Sequence, residues 1–444
     1  MDEQLHEQPA LSVTELEAGI AQISSDIALQ QEVLKNLECH KIAAQRQLNA
    51  IRDPIARLPL EISSEIFLGC LTSQRKPGAH IAPLLLLNIC NAWTDIALST
   101  PALWDTIRLH FPGADCLRSW LPRAGKRTLT IELNRGLDHS VAAVLSHYAT
   151  QIKHLALREE ADDELDTLAA AVESFPHLDT LIIDCFSNAY GNFAAFSSST
   201  VREVLRLAPN LVELSFDSVE ILSSDNSTGD RVVLSRLTSL KLARLKCPQG
   251  ILRYLTTPAL KTLILPCGGL TNAAFSHLSS PPLQELVLGY DEGEGDDFNL
   301  GEGLMQVPSL THLELRAHRR SEVNTLFVGL QNLPSDSVTN LRTLIIRIQS
   351  DHLTIEPSWY HSVLRFLSPH STTIAHFKLL NYSREPWAVV DGNVGEEFRC
   401  LVDGGVQVWI GNDIHNFLPE WLQPPSGMSF ICPGFPKLIY LLDQ

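Results

Sequence analysis

The side chains best able to do chemistry are scattered along this 444-residue chain. Nine cysteines stand at 39, 70, 90, 116, 185, 247, 267, 400 and 432, with no CxxC pair among them. Most sit inside apolar runs, where a thiol behaves as a small hydrophobe. The pattern fits neither a disulfide framework nor a zinc site, and it suits a reducing cytoplasmic or nuclear setting. The sixteen histidines have no cysteine or carboxylate at a metal-ligand spacing. His177 and His312 fall in strand-like repeats, where surface or satisfied roles are usual. There is no P-loop, GxSxG elbow, HExxH helix or dinucleotide glycine fingerprint. The expectation is a non-catalytic chain without metal or cofactor. The chemistry left is recognition. Arg316, Arg342, Arg347 and Lys378 make a basic patch on an acidic protein, suited to an acidic or phosphorylated segment of a target protein. They also suit a solvated face that balances nearby acids.

Charge narrows the partners. The chain has 34 basic against 51 acidic residues, a net charge of -17. A phosphate backbone or an anionic membrane would repel such a surface, so we expect neither nucleic acid nor membrane as partner. The opening MDEQLHEQPA is acidic and polar, unlike a secretory signal. The longest near-continuous apolar run, Ile81 to Cys90, is far shorter than the ~20 residues that span a bilayer.

Four stretches must position whatever recognition the chain performs, and the length alone suggests two or three domains. Residues 12–53 carry one long helical pattern, opened by Ser12 and Glu15 at capping-box spacing and closed by Pro54. Stepping by four and three from Leu16 gives Ile20, Ile23, Ile27, Gln30, Leu34, Leu37, Lys41, Ala44, Leu48 and Ile51. This is a heptad seam, which predicts a coiled-coil helix and a homodimer, or a helix docked on its own protein. Gln30 and Lys41 in the seam help set register at a cost in stability.

Residues 55–104 hold short helical patterns. Leu60 to Leu71 carries Ile62, Ile66, Phe67, Cys70 and Leu71, a stripe wider than one core-facing helix needs. A second opens on Pro83, a favoured first helical residue, and runs through Leu84–Leu87, Ile89, Cys90, Trp93, Ile96 and Ala97. A domain this small buries only about 60% of its surface, so a further cover is required. Leu58-Pro59, Glu61-Ile62, Ile66-Phe67, Leu71, Leu84–Leu87, Ile89-Cys90, Trp93 and the closing ALSTPALW together resemble an F-box of the fungal type. Asn91-Ala92 replace the basic residue that the family often carries between its Cys and Trp. The resemblance implies binding to the adaptor subunit of an SCF-type cullin–RING ubiquitin ligase. Leu58, Pro59, Ile62, Ile66, Phe67, Leu84, Leu87 and Trp93 are the candidate contacts, with their division between adaptor and internal core left open.

After a structured connector over 105–128, a motif recurs through 129–380: apolar, two variable residues, apolar, one variable, apolar. Its nine instances begin at Ile152, Leu178, Leu211, Leu237, Leu260, Leu283, Leu310, Leu341 and Ile374. Each predicts a short strand followed by a return segment, helical over Glu164–Phe175, Val201–Ala208, Ile251–Thr256, Glu322–Leu333 and Trp359–Leu367. Pro176, Pro209, Pro258, Pro282 and Pro308 end the preceding segments and steer the chain into the strand. The pattern resembles leucine-rich repeats, although the asparagine or cysteine usual after the third leucine is mostly missing. That departure predicts irregular units with weak turn ladders. The acidic loop DEGEGDD at Asp291–Asp297 reads as a solvated insertion. Residues 381–444, with Trp387, Trp409 and Trp421, read as a C-terminal cap.

The expected fold class is therefore α+β: a long N-terminal helix, a small all-α F-box, then an irregular α/β repeat solenoid. The two resemblances together imply a substrate-receptor subunit of a ubiquitin ligase, which holds an unidentified target on its repeats. The alternative is a repeat scaffold that assembles partners through its coiled coil and never meets a ligase.

Overall fold

A computed structural model describes residues 13–71, 82–109, 113–134, 137–159, 164–185, 194–222, 231–245, 249–266, 282–289, 300–317, 320–333, 338–348, 356–381, 392–412, 416 and 418. Ser12, the loop at Asp291–Asp297, Trp387 and Trp421 lie outside these residues. The chain is mixed α/β and divides into two compact units, Met1–Ile107 with Ser119–Arg127, and Arg108–Arg118 with Thr128–Gln444.

The first unit opens with helix α1, Val13–Arg52, uninterrupted over 40 residues. Asp53 follows, and its carboxylate accepts from the Ile55 amide at 2.9 Å as the chain turns through Pro54. Helices α2 (Leu60–Leu71), α3 (Ala82–Leu86) and α4 (Asn91–Leu98) follow. The single helix expected from Pro83 to Ala97 is thus two. Cys90 is extended (φ -157°, ψ 169°) and caps α4. Thr94 Oγ1 bonds the carbonyls of Leu87 and Cys90, holding the break. A straight helix would leave part of this all-round apolar run in water, whereas the break buries Pro83, Leu86, Cys90 and Ala97 together. Trp104 closes the unit's core. Its indole donates to the Ala97 carbonyl at 2.8 Å, Trp120 meets it edge-on at 5.1 Å, and the Arg123 guanidinium lies 4.5 Å over its ring.

The second unit is built on a 12-stranded sheet whose strands follow one another in chain order, the first of them beginning two residues before the unit's boundary at Arg108. Its members are β1 (Thr106–Leu109), β2 (Leu129–Leu133), β3 (Ile152–Glu159), β4 (Thr180–Cys185), β6 (Glu213–Asp217) and β9 (Ser239–Ala243). It continues with β11 (Thr262–Pro266), β12 (Glu285–Gly289), β13 (His312–Ala317), β14 (Thr343–Ile348), β15 (His376–Asn381) and β16 (Gln407–Gly411). From β2 onward every adjacent pair is parallel. The second apolar residues of the motif stand side by side: Leu155, Leu181, Leu214, Leu240, Leu263, Leu286, Leu313, Leu344 and Phe377. All nine triplets are buried, no member more than 4% exposed.

Three departures from the expected layout have local causes. The sheet runs past residue 380, because Val408 and Ile410 of β16 align with Phe377 and Leu379. The cap assigned to 381–444 therefore begins later. Gly405, at φ +96°, occupies the place of the first apolar residue and hides the repeat from a leucine search. The connector likewise supplies β1, whose Ile107 is buried. The return at 251–256 is a helix only over Gln249–Leu252. Leu255–Thr256 form strand β10, which pairs in parallel with β8 (Val232–Val233). A second such pair joins β5 (Ala194–Ser197) and β7 (Val219–Leu222). These return segments bond to their neighbours through backbone, so helical propensity does not decide them.

Side chains ahead of three strands also tie successive repeats. Asn210 Nδ2 donates to the Pro176 carbonyl at 2.9 Å, and Asn340 Nδ2 repeats the bond to Pro308 at 2.8 Å. Ser309 Oγ reaches the Leu283 carbonyl at 2.8 Å.

Because Leu286 is fully buried between Leu263 and Leu313, Leu286→Ala should cost about 2–5 kcal/mol through the cavity it leaves. A lower urea midpoint is the expected readout.

Candidate functional site

Each unit presents a surface suited to recognition. On α2, Ser63 and Phe67 lie one turn apart and are fully buried. Ser63 Oγ donates to the Ile55 carbonyl at 3.3 Å, and the Phe67 ring packs 4.8 Å from that of Trp93. The Trp93 indole donates to the Asp53 carboxylate. Ile62 and Ile66 occupy the next face of the helix, about 100° round the axis, and both are exposed, as are Leu58, Pro59 and Leu60. Leu85 is exposed on α3, while Leu84 and Leu87 are half-buried.

The structure thereby sorts the candidate contacts. Leu58, Pro59, Ile62 and Ile66 stand outward. Leu84, Leu87 and Trp93 are partly covered. Phe67 belongs to the internal core, because no surface of it remains for a partner. Leu60 and Leu85, which were not among the candidate contacts, join the outward set. Water is displaced from such large apolar side chains at about 25 cal/mol per Å² of covered surface, so a cluster of them is a docking face in energetic terms.

Helix α1 leaves a second apolar surface. Leu16, Ile20, Ile23, Ile27, Leu34, Leu37, Leu48 and Ile51 are 40–73% exposed. Among the described residues, its end bonds to the α3–α4 segment, where Arg46 Nη2 donates to Asn88 Oδ1 at 2.9 Å and Asn49 Nδ2 to the Ile89 carbonyl at 3.0 Å.

In the second unit, side chains alternate across each strand, so the residues flanking the buried pair form rows on the outward face of the sheet. Arg316 and Arg347 are register neighbours there. Both guanidiniums hold Glu314, with Nε to Oε1 distances of 2.6 and 3.1 Å, and that carboxylate is only 5% exposed. Two of the four candidate cations are thus engaged by an internal acid that the repeat pattern had placed beside them. Glu314 and Arg316 are two residues apart on one strand, which was the available signal. Lys378 is half-buried in the row beside Ile345, and Arg342 is exposed just before β14.

A further charged cluster went unread in the sequence. Asp184 and Asp217 are register neighbours, and Asp184 also stands beside Arg158. Lys241 Nζ and Arg244 Nε reach Asp217 at 3.3 and 2.7 Å. Ser218 (φ 56°) and Arg244 (φ 45°) adopt left-handed backbone at the ends of β6 and β9, a conformation that costs energy for a residue with a Cβ. Burial raises the Asp184 carboxyl above its ordinary range, and the neighbouring Asp217 charge adds to the effect.

A raised folded-state value means that the folded protein holds this proton more tightly than the unfolded chain does. Asp184 therefore costs stability at neutral pH, and that cost fades as pH falls through its folded-state range. Asp184→Asn should raise the urea midpoint at pH 7, and the gap between variant and parent should close in acid. A gap independent of pH would contradict the assignment.

Among the described residues, no group of three or more His, Cys, Asp or Glu side chains could hold a metal ion, and no helix is long and apolar enough to cross a membrane. No family model matches the chain, and no curated protein matches it. Among solved structures it is similar to a Bacteroides fragilis protein of known crystal structure. The two are 15% identical with a TM-score of 0.35, over 65% of this chain and 76% of that one. A likeness of that size carries no argument about function.

Proposed function

We propose that this chain is a substrate-receptor subunit of an SCF-type ubiquitin ligase. In this reading α2–α4 form an F-box, and the repeated strand units form an irregular leucine-rich-repeat solenoid. The adaptor subunit covers Leu58, Ile62, Ile66 and Leu85, and a target protein lies on the outward face of the sheet. The chain breaks no bond itself; it contributes proximity between the target's lysines and ubiquitin carried elsewhere in the assembly. The observation that carries the reading is the division of α2 into a fully buried Ser63/Phe67 face and an exposed Ile62/Ile66 face. An apolar helix face left open beside a completed core calls for a partner. The in-register triplets support the solenoid.

On the sheet face, Glu314 holds Arg316 and Arg347 in fixed positions, and Arg342 and Lys378 lie on or beside the next two strands. An acidic or phosphorylated target segment suits it. A ligase-independent scaffold is the second reading, favoured by the exposed seam of α1.

Co-expression with an SCF adaptor subunit separates the two. The parent chain should co-purify with adaptor, and Ile62→Asp with Ile66→Asp should reduce recovery at least tenfold. Both residues are exposed, so the pair should leave the urea midpoint nearly unchanged. Equal recovery of adaptor by parent and variant would remove the ligase reading and leave the scaffold.

A further inference from the structure

We infer that the exposed seam of α1 is an antiparallel self-association surface, its occupant being the α1 of a second copy. This inference stands independently of the ligase reading. Three observations carry it: where the helix is anchored, how its charges are distributed, and where its polar seam residues fall.

The anchor leaves the seam open. In the heptad that places Ile20, Ile27, Leu34, Lys41 and Leu48 at a, the positions d are Leu16, Ile23, Gln30, Leu37, Ala44 and Ile51. Arg46 and Asn49, which bond to Asn88 and to the Ile89 carbonyl, then fall at f and b, on the back of the helix. The helix is held by the face opposite to its apolar stripe. The exposed Leu29 and Ile42 lie off the stripe, singly, as surface apolar residues commonly do. From 16 to 51 the a, d, e and g positions supply about 20 residues a side, the count of a standard-size protein interface.

Charge sets the orientation. Residues 13–32 of α1 contain four acidic side chains (Glu15, Glu17, Asp26 and Glu32) and no basic one. Residues 33–52 contain four basic side chains (Lys35, Lys41, Arg46 and Arg52) against the single acid Glu38. The halves therefore carry -4 and +3. A parallel pair would lay acidic half on acidic half; an antiparallel pair lays acidic on basic and also opposes the two helix dipoles.

The polar seam residues fix the register. When the residue numbers of facing a and d positions sum to 71, Ile20 meets Ile51, Ile27 meets Ala44, and Leu34 meets Leu37 of the second copy. Lys41 then meets Gln30, so every polar seam residue faces another polar one of compatible charge. The e positions Glu17 and Arg52 also come together. A parallel, in-register pair would instead press Lys41 against Lys41 at an a position, where like charges are poorly solvated.

The experiment uses the full chain. Light scattering at tens of micromolar should give twice the chain mass. Ile27→Asp with Leu37→Asp should give a monomer whose tryptophan emission maximum is unchanged, since both residues are exposed. Benzoylphenylalanine in place of Ile20, after irradiation, should cross-link to the segment around Ile51. Within one helix those positions lie about 46 Å apart, so such a cross-link can form only between copies. A monomer mass for the parent chain would overturn the proposal. So would a cross-link around residue 20 of the other copy, a cross-link outside α1, or a dimer that yields no cross-link.

Discussion

The repeated unit depends on a constraint that no single copy of it can meet. A short strand with two inward apolar residues and a return segment exposes half of what it should bury. Burial comes only when the next strand places its own pair alongside. From Leu155 to Phe377 the second apolar positions form an unbroken line across nine strands, and the third positions follow in step. Lateral alignment is thus a condition of the core. It also determines what the opposite face presents, because alternation ties each outward residue to the same register. The Arg316–Arg347 neighbourhood and the Asp184–Asp217 pair are consequences of aligned leucines.

Much of this was legible in the sequence, and the limits have physical reasons. The strand positions could be read because period two and a fixed three-residue pattern survive wherever large apolar residues fill them. Gly405 broke that pattern without breaking the strand, since the pairing of β16 rests on backbone bonds and on Val408 and Ile410. The short parallel pairs on the return side carry too few residues to show any period. On α2, Ile62, Ile66 and Phe67 are equally apolar, so composition could not say which faced inward. Ser63 settles it in the structure: a buried hydroxyl with a carbonyl partner marks the inner face more clearly than another leucine would.

The two units present their outward side chains in opposite ways. In the first, large apolar side chains are left in water on α2, α3 and α1, a cost that is recovered only when they are covered. In the second, charge is held in place by internal partners. Glu314 accepts from two guanidiniums, and Asp217 from a lysine and an arginine. An apolar face of the first kind favours lasting association, because its driving force scales with area. A pre-positioned charged face of the second kind favours selectivity, because a misplaced charge is strongly disfavoured.

The register has a consequence for how such a chain can change. Successive motifs are separated by 23 to 33 residues, yet their strands pair without offset. Length differences are absorbed wholly in the returns, so residues added there leave every outward row aligned. One residue added between the second and third apolar positions has the opposite effect. It turns the remainder of that strand over, sends its outward residues into the core, and interrupts the line of leucines for both neighbours. Tolerance to insertion thus alternates along the chain with the period of the repeat: wide in the returns, close to zero within five residues of each strand.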